Sequence, residues 1–274
     1  MTDLQSIQVR SAPLSLGQIV WHESGRGDAL VFLHGVGSSA HSFKAQLEGL
    51  AARWRVVAWD MPGYGGSAHL PDTAPDVEAY ADAAAQWLDA LGVGQCHLVG
   101  HSLGSLIAAR FAATRPERVR SLTLASCAIG HARLDAAERA RLLTSRLDDV
   151  AALGPRGMAQ KRGPRLLGPD AQPKTIQGVI DVMAQVDPQG YAQAARMLSG
   201  GDMLADLAQT PLTVPVQVVY GLEDVITPPP VNLRAAQARA AISVATIERA
   251  GHALYAEAPG AFNDIVETFA GAQR

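Results

Sequence analysis

The run from Gln95 to Ser105 constrains the fold more than any other part of the sequence. Apolar residues at its start predict a buried strand, and residues 103–110 after it predict a helix. Between them stands Gly100-His101-Ser102-Leu103-Gly104, a G-x-S-x-G pattern that is typical of a tight turn from a strand into a helix. Such a turn presents its serine at the end of a sheet, so we nominate Ser102 as a nucleophile. Gly100 and Gly104 suit the turn because their missing Cβ atoms let neighbouring backbones approach closely.

Strand and helix patterns alternate through the first half of the chain. The predicted strands are residues 17–23, 29–33, 55–60, 95–99 and 119–126, and the predicted helices are 43–52, 77–91 and 103–114. This alternation predicts an α/β fold with a doubly wound, mostly parallel sheet. Residues 17–23 alternate in polarity whereas 29–33 are continuously apolar, so we expect an edge strand followed by a strand covered on both faces.

The alternation of strand and helix patterns stops between residues 131 and 210, where no convincing strand occurs. Amphipathic helical segments at 134–153, 175–186 and 189–198 are interrupted by Gly-Pro pairs at 154–155, 163–164 and 168–169. Strands are predicted again at 214–220 and 242–247, and a closing helix at 259–270. We therefore predict a core made of residues 1–130 and 211–274, with a helical insertion at 131–210 lying over the sheet.

Composition limits the classes of partner. The chain has 274 residues, enough for one large α/β domain or one domain with an insertion. Its formal net charge of −3 gives no electrostatic reason to expect nucleic acid or an anionic membrane as a partner. We expect a small-molecule substrate of little or modest charge, and a monomer or small homo-oligomer.

Location and cofactor requirements are also constrained by what the sequence contains. The first residues show no cationic segment followed by an apolar one, and no stretch approaches the roughly 20 apolar residues of a membrane span, so we expect a cytoplasmic protein. Cys96 and Cys127 are interpreted as small buried hydrophobic side chains. No cofactor or metal is expected, because no residues have metal-ligand spacing and the glycine-rich loops lack the features of phosphate-binding loops.

A serine nucleophile needs a base, usually a histidine that a carboxylate orients. His252 is the preferred base, since it lies in a loop after the predicted strand 242–247, at the edge of the sheet where sites of this kind form. Asp224 is the preferred acid because it directly follows the strand 214–220, and its neighbour Glu223 is the alternative. His101 is next to Ser102, but adjacent residues on such a turn point in different directions.

Two backbone amides are candidates for binding the negatively charged oxygen of an acyl-transfer intermediate. One is the amide of Leu103, directly after the nucleophile, and the other is the amide of Val36 in the segment His34-Gly-Val-Gly37. His34 is interpreted as a residue that fastens this loop by a hydrogen bond, rather than as a base.

Five motifs occur in an order that is specific as a set: His34-Gly-Val-Gly37, Asp60-Met-Pro-Gly-Tyr-Gly-Gly-Ser67, Gly100-His-Ser-Leu-Gly104, Gly221-Leu-Glu-Asp224 and Gly251-His252. With them the chain resembles the α/β-hydrolase fold superfamily, in its serine-nucleophile branch, over nearly its whole length. The resemblance implies a sheet of about eight strands, with 131–210 as a cap domain between the sixth and seventh core strands. Caps in this family supply most substrate contacts, and residues 60–67 would form a structural loop at the floor of the site.

The resemblance also bears on the reaction. Serine at position 102 argues against the dehalogenases and epoxide hydrolases of the superfamily, which use aspartate there. Hydrolysis of a carboxylic ester or lactone is therefore preferred, and the segment Asp187-Pro-Gln-Gly-Tyr191 resembles 3-oxoadipate enol-lactonases. C–C bond hydrolases of meta-cleavage pathways are an alternative, although Ala253 and His101 replace a tryptophan and an asparagine familiar there. A cofactor-free perhydrolase, an acyltransferase and a non-catalytic binding protein are further alternatives.

The residues that line a substrate pocket are the hardest feature to predict from the sequence. Candidates beside the motifs are His34, Gly35, Phe43, Tyr64, His101 and Tyr255. Methionine and leucine side chains offer an adaptable apolar lining, namely Met158, Leu166, Met183, Met197 and Met203. Basic residues of the insertion, one of which could bind a substrate carboxylate, are Arg133, Arg139, Arg141, Arg146, Lys161, Arg162 and Arg165.

Overall fold

A computed structural model describes residues 6–211 and 213–273 of the chain. Residues 1–5, on which the expectation of no amino-terminal leader rests, lie outside the described residues, as do Leu212 and Arg274. Within the described ranges, no helix is long and apolar enough to cross a membrane.

Eight strands form a single sheet in the order β1-β2-β4-β3-β5-β6-β7-β8. Strand β2 pairs antiparallel with β1 and β4, and all other neighbours are parallel. The mostly parallel sheet that the alternating pattern predicts is thus confirmed. The strands are β1 (Gln8–Leu14), β2 (Gly17–Gly25), β3 (Ala29–Leu33), β4 (Arg55–Asp60), β5 (Cys96–His101), β6 (Val119–Ala125), β7 (Val216–Gly221) and β8 (Ile242–Ile247).

The prediction that residues 17–23 form an edge strand is wrong. Strand β1, which the sequence patterns did not reveal, occupies the edge and pairs with β2 over its whole length. None of its residues is fully buried, and it contains Pro13, which a strand tolerates where one side faces solvent. The hydrophobic signal that identifies interior strands is therefore absent from β1.

Helices cover both faces of the sheet, as a doubly wound fold requires. One apolar cluster joins the sheet to α2, α3 and α8, and a second joins the opposite face to α1, α9 and α10. The ten helices in the described chain are α1 (Lys44–Gly49), α2 (Val77–Ala90), α3 (Leu103–Thr114), α4 (Ala136–Arg162), α5 (Pro173–Met183), α6 (Pro188–Gly200), α7 (Met203–Gln209), α8 (Pro229–Ala236), α9 (Leu254–Glu257) and α10 (Pro259–Gly271).

Helices α4 to α7 all lie between β6 and β7, in the segment predicted as an insertion. The Gly-Pro pair at 154–155 kinks α4, because Gly154 has a left-handed φ of 64° that breaks the regular helix. Cys96 and Cys127 are both buried free thiols, and burial raises the pKa of Cys96 to about 12, so they pack as apolar side chains.

Candidate active site

Ser102 stands at the turn from β5 into α3 with a strained backbone. Its φ of 52° and ψ of −118° lie in a region that residues with a side chain rarely adopt. A Cβ on Gly100 would lie 2.4 Å from the carbonyl oxygen of Gly104, and one on Gly104 would lie 2.1 Å from that of Leu33. The two glycines are therefore required for the close packing of β3, β5 and α3 that holds the serine in place.

A buried acid–histidine pair lies beyond the ends of β7 and β8. Oδ2 of Asp224 is 2.9 Å from Nδ1 of His252, and the two residues are only 2% and 3% exposed. Asp224 also accepts hydrogen bonds from the amides of Ile226 and Thr227 and from the Thr227 hydroxyl. Glu223, the alternative acid, is exposed, and the carboxylate that contacts His252 is that of Asp224. The geometry therefore pairs His252 with Asp224.

The surroundings of Asp224 keep its carboxyl group ionised. Burial works to raise its pKa, but the hydrogen bonds from His252 and Thr227 and the nearby imidazole outweigh burial and lower the pKa to about 2. A carboxylate at this position orients the imidazole so that Nδ1 carries a proton and Nε2 is left free to accept one.

Ser102 and His252 line the same cavity, which has a volume of about 300 Å³. The insertion contributes much of the cavity lining, including Leu142, Arg146, Leu166, Met183, Tyr191 and Leu198. Strand β5 and the loops after β7 and β8 thus bring three side chains, widely separated in sequence, to one edge of the sheet. Within the described ranges, no group of three His, Cys, Asp or Glu side chains is arranged to hold a metal ion.

The loop that follows β3 approaches the serine closely. A Cβ on Gly35 would lie 2.8 Å from Cβ of Ser102 and 3.3 Å from its hydroxyl oxygen. Among the described backbone hydrogen bonds of turns and loops, the amides of Val36 and Leu103 donate none. Both are therefore free to donate to an oxygen bound beside Ser102.

His34 stabilises the same loop through hydrogen bonds of its buried imidazole. Its Nδ1 donates to the carbonyl of Gly35 at 2.9 Å, and its Nε2 accepts from the amide of Met61 at 3.1 Å. Burial lowers the pKa of His34, which favours the neutral imidazole that this pattern needs. The predicted loop-fastening hydrogen bond is confirmed.

His101 supports His252 rather than competing with it as a base. Its Nε2 donates to the His252 carbonyl at 2.9 Å, and the two rings lie 4.9 Å apart. Burial, helped by the proximity of His252, lowers the pKa of His101 to about 3, so its ring is neutral at physiological pH.

A carboxylate that the sequence patterns did not reveal ties the His252 loop to the insertion. Glu257 accepts hydrogen bonds from the amide of Gly251 at 2.7 Å and from the amide of Gly168 at 2.6 Å. In addition, the amide of Ala253 donates to the carbonyl of Leu166 at 2.8 Å. Two hydrogen bonds, Gly168–Glu257 and Ala253–Leu166, therefore join the insertion to the region of His252, and the Gly251–Glu257 hydrogen bond links the same carboxylate to the histidine loop.

The predicted pocket residues divide between the core and a small cavity beside Ser102. His34, Phe43 and Tyr64 are almost fully buried and line neither the main cavity nor its neighbour, because they pack inside the core beneath the loops. Gly35, His101 and Tyr255 do line a small adjoining cavity of about 20 Å³, which also contacts Ser102 and His252.

Only some of the predicted methionine, leucine and basic residues line the main cavity. Leu166 and Met183 line the main cavity, whereas Met158, Met197 and Met203 are buried elsewhere. Of the basic candidates, Arg146, Arg162 and Arg165 reach the cavity, and Arg133, Arg139, Arg141 and Lys161 do not. Three further residues line the cavity that the sequence analysis did not suggest. Ile226 lies in the loop after β7, and Val231 and Arg234 lie on α8, a helix that the sequence patterns did not reveal.

The sequence is similar to those of known α/β hydrolases. A family model described as the alpha/beta hydrolase fold matches residues 28–166. The pimeloyl-[acyl-carrier protein] methyl ester esterase of Aeromonas hydrophila is 30% identical over 271 residues, covering 90% of this chain and 97% of that protein.

Solved structures resemble the whole molecule. A thermophilic esterase from Thermogutta terrifontis, solved with malate bound, superposes with a TM-score of 0.86 at 26% identity, over 97% of this chain and 99% of the esterase. The enol-lactonase from Burkholderia xenovorans superposes with a TM-score of 0.83 at 22% identity, over 95% of this chain and 99% of the other, which bears on the fold alone.

Proposed function

The chain belongs to the α/β-hydrolase fold family and acts on ester-type bonds, and we propose that it hydrolyses a small carboxylic ester or lactone through an acyl-enzyme on Ser102. The observation that carries the proposal is the buried Asp224–His252 pair, because His252 opens onto the same cavity as Ser102. A buried carboxylate that orients a histidine, which lines the same cavity as a serine hydroxyl, is the arrangement that acyl transfer needs.

In the first half of the reaction, the hydroxyl oxygen of Ser102 attacks the carbonyl carbon of the substrate, and its proton passes to Nε2 of His252. Asp224 stabilises the imidazolium that forms. The amides of Val36 and Leu103 donate to the oxyanion of the tetrahedral intermediate. When this intermediate collapses, the leaving oxygen takes the proton from His252. An ester then releases its alcohol, whereas a lactone ring opens and its alcohol stays attached.

In the second half, water attacks the acyl-enzyme while His252 takes one of its protons. Collapse of the second tetrahedral intermediate returns the proton to Ser102 and releases the carboxylic acid. We assign the segment 131–210 as a cap that shapes the substrate cavity, since many of the side chains that line the cavity come from it.

The test is hydrolysis of p-nitrophenyl butyrate by the wild type and by Ser102→Ala. We expect the substitution to abolish turnover, whereas Ser145→Ala, which changes an exposed serine of α4, leaves kcat/KM unchanged. Retention of activity by folded Ser102→Ala would contradict the proposal.

A substrate panel then separates the reaction types. Short aryl esters, small lactones and vinylogous 1,5-diketones are assayed with one preparation of the wild type. We expect turnover of esters or lactones without cleavage of the diketones, and diketone cleavage alone would favour a C–C hydrolase instead.

A further inference from the structure

The cavity beside Ser102 is lined by several arginines together with many apolar side chains. Four arginines line it: Arg146 and Arg162 on α4, Arg165 just after α4, and Arg234 on α8. None of the described residues that line the cavity is an aspartate or glutamate. Much of the remaining lining is aliphatic, with Val36, Leu142, Leu166, Ile226 and Val231.

One of the four arginines is already neutralised by the protein. Arg162 donates through Nε to Asp149 at 2.8 Å and through Nη2 to the carbonyl of Ser145 at 3.1 Å. Lys161 binds the other oxygen of Asp149 at 2.6 Å, so this carboxylate carries two cationic partners. Asp149 is therefore engaged and leaves the neighbouring Arg146 without a counter-charge.

Arg146, Arg165 and Arg234 have no hydrogen-bond or ion-pair partner among the described residues. Arg165 and Arg234 are exposed, where water solvates a guanidinium well, but Arg146 is half-buried. A cation that is partly removed from water without a partner is costly unless an anion is bound beside it.

His131 lines the same cavity as Arg146 and lies close enough to be affected by its charge. Burial lowers the pKa of His131, and the positive charge of Arg146 lowers it further, so the His131 ring in the cavity wall is neutral. Nδ1 of His131 is buried and has no hydrogen-bond partner among the described residues. A charged donor and an unsatisfied imidazole nitrogen thus stand together at the wall.

We propose that the cavity is built for a substrate with a free carboxylate separated from its reacting carbonyl by an apolar segment, and that Arg146 binds this carboxylate. This inference rests on the proposed function of the same site. The planar guanidinium can form two parallel N–H···O bonds with a carboxylate, and the apolar surroundings strengthen them. A carboxylate fits better than a phosphate monoester, because of the three unpartnered arginines only Arg146 is half-buried, and one such guanidinium matches a single negative charge.

The first test uses pairs of substrates that differ only in charge. These are the p-nitrophenyl hydrogen esters of succinate, glutarate and adipate, each compared with its methyl-capped neutral counterpart. We expect the wild type to favour the acid at one chain length at least. Arg146→Gln should lower kcat/KM for that acid by about 10- to 100-fold, the loss typical of a removed charged hydrogen bond, while changing its neutral partner by less than about threefold.

Two further variants serve as controls. Arg156→Gln removes the same charge from an exposed position of α4 that does not line the cavity, and we expect it to leave the preference for the acid unchanged. Arg146→Lys keeps the charge but loses the planar pair of N–H donors. We therefore expect its preference for the acid to lie between those of the wild type and Arg146→Gln. Activity on the neutral ester reports that each variant is folded.

A binding measurement makes the inference independent of catalysis. Titration calorimetry compares monomethyl adipate with dimethyl adipate as ligands of Ser102→Ala and of the Ser102→Ala/Arg146→Gln double variant. We expect the second substitution to raise the Kd of the monomethyl ester about tenfold or more without affecting the dimethyl ester.

The outcomes separate the two proposals. If Ser102-dependent hydrolysis is retained but Arg146→Gln affects acid and neutral esters alike, the carboxylate site is wrong and the proposed function stands. If no ester is cleaved in a Ser102-dependent way, the proposed function fails, and the calorimetry alone decides whether Arg146 binds a carboxylate. Equal affinity of both adipate esters for Ser102→Ala would overturn the inference.

Discussion

At the scale of single residues, the neighbours of Asp224 define how it can act. Four hydrogen bonds converge on this carboxylate, one from His252 and three from Ile226 and Thr227. Because its pKa is lowered to about 2, the group is ionised over the whole range in which enzymes of this kind are assayed. A neutral amide in its place would not hold the same tautomer of His252.

Replacement of the acid is therefore expected to be far more harmful than replacement of its neighbour. Asp224→Asn should lower kcat/KM for p-nitrophenyl butyrate by on the order of 10³-fold, because the imidazole loses its orienting anion. Glu223→Gln is the matched control, since Glu223 is exposed. It should keep kcat/KM within about twofold of the wild type, as expected for surface substitutions. A larger loss in Glu223→Gln than in Asp224→Asn would show that the acid is misassigned.

The sequence could nominate Ser102, Asp224 and His252, which the structure brings to one edge of the sheet, because each follows a recognisable strand in a short motif. It does not show which side of a loop faces the cavity, and for that reason it suggests Phe43 and Tyr64 as pocket walls although both side chains lie in the core. Thr227 and Glu257 were missed for a different reason. Each acts through hydrogen bonds to groups whose positions only the folded chain defines, and neither belongs to a motif.

At the scale of elements, the loop between β8 and α9 is held in a narrow space. A Cβ on Gly251 would lie 2.6 Å from the amide nitrogen of Gly168 and 2.6 Å from the carbonyl carbon of Leu167, both of them backbone atoms. The insertion and the His252 loop can therefore approach each other only because position 251 is glycine.

Gly251→Ala should push this loop away from the insertion. We expect it to lower the free energy of unfolding by about 1–3 kcal/mol, as overpacking does. It should also reduce kcat/KM by on the order of tenfold or more, because His252 is displaced. Urea denaturation and ester hydrolysis measure the two effects.

Gly260→Ala provides the comparison within the same region. A Cβ there meets no atom within 4 Å, and the residue lies in α10. Its free energy of unfolding should be unchanged or higher by up to about 1 kcal/mol, because alanine favours a helix. Equal behaviour of the two variants would contradict a tight contact at Gly251.

Elements with a strong apolar pattern were predicted well, and weakly patterned ones were not. Strands β3, β4 and β8 and helix α3 begin and end where the sequence predicts. Edge strand β1 buries too little to show a pattern, and α7 and α9 have seven and four residues, too short for a helical period to emerge. Helix α8 begins with two prolines, a sequence that also suggests a loop.

At the scale of the whole molecule, the insertion and the core share an ionised contact that makes stability depend on pH. Asp206 of α7 lies 3.0 Å from Nη2 of Arg110 on α3 and is fully buried. Burial raises the pKa of Asp206 to about 6, and Arg110 only partly opposes this effect. Because the pKa is higher in the folded than in the unfolded chain, the folded state binds this proton more tightly between about pH 4 and 6.

The contribution of Asp206 to stability should accordingly fall as the pH rises through that interval. We expect Asp206→Asn, relative to the wild type, to gain about 2 kcal/mol in free energy of unfolding between pH 4 and pH 7.5. Asp148→Asn, at an exposed position of α4, should show no such pH-dependent gain. Urea denaturation at several pH values gives the comparison, and an equal difference at both ends of the range would count against the raised pKa.

We expect the folded molecule to present one reactive serine at the cavity where core and insertion meet. Intact-protein mass spectrometry after treatment with a fluorophosphonate tests it most directly. The wild type should gain the mass of one phosphonyl group, located by peptide mapping on Ser102, and His252→Ala should react much more slowly. Labelling of Ser102→Ala, or no labelling of the folded wild type, would contradict this expectation.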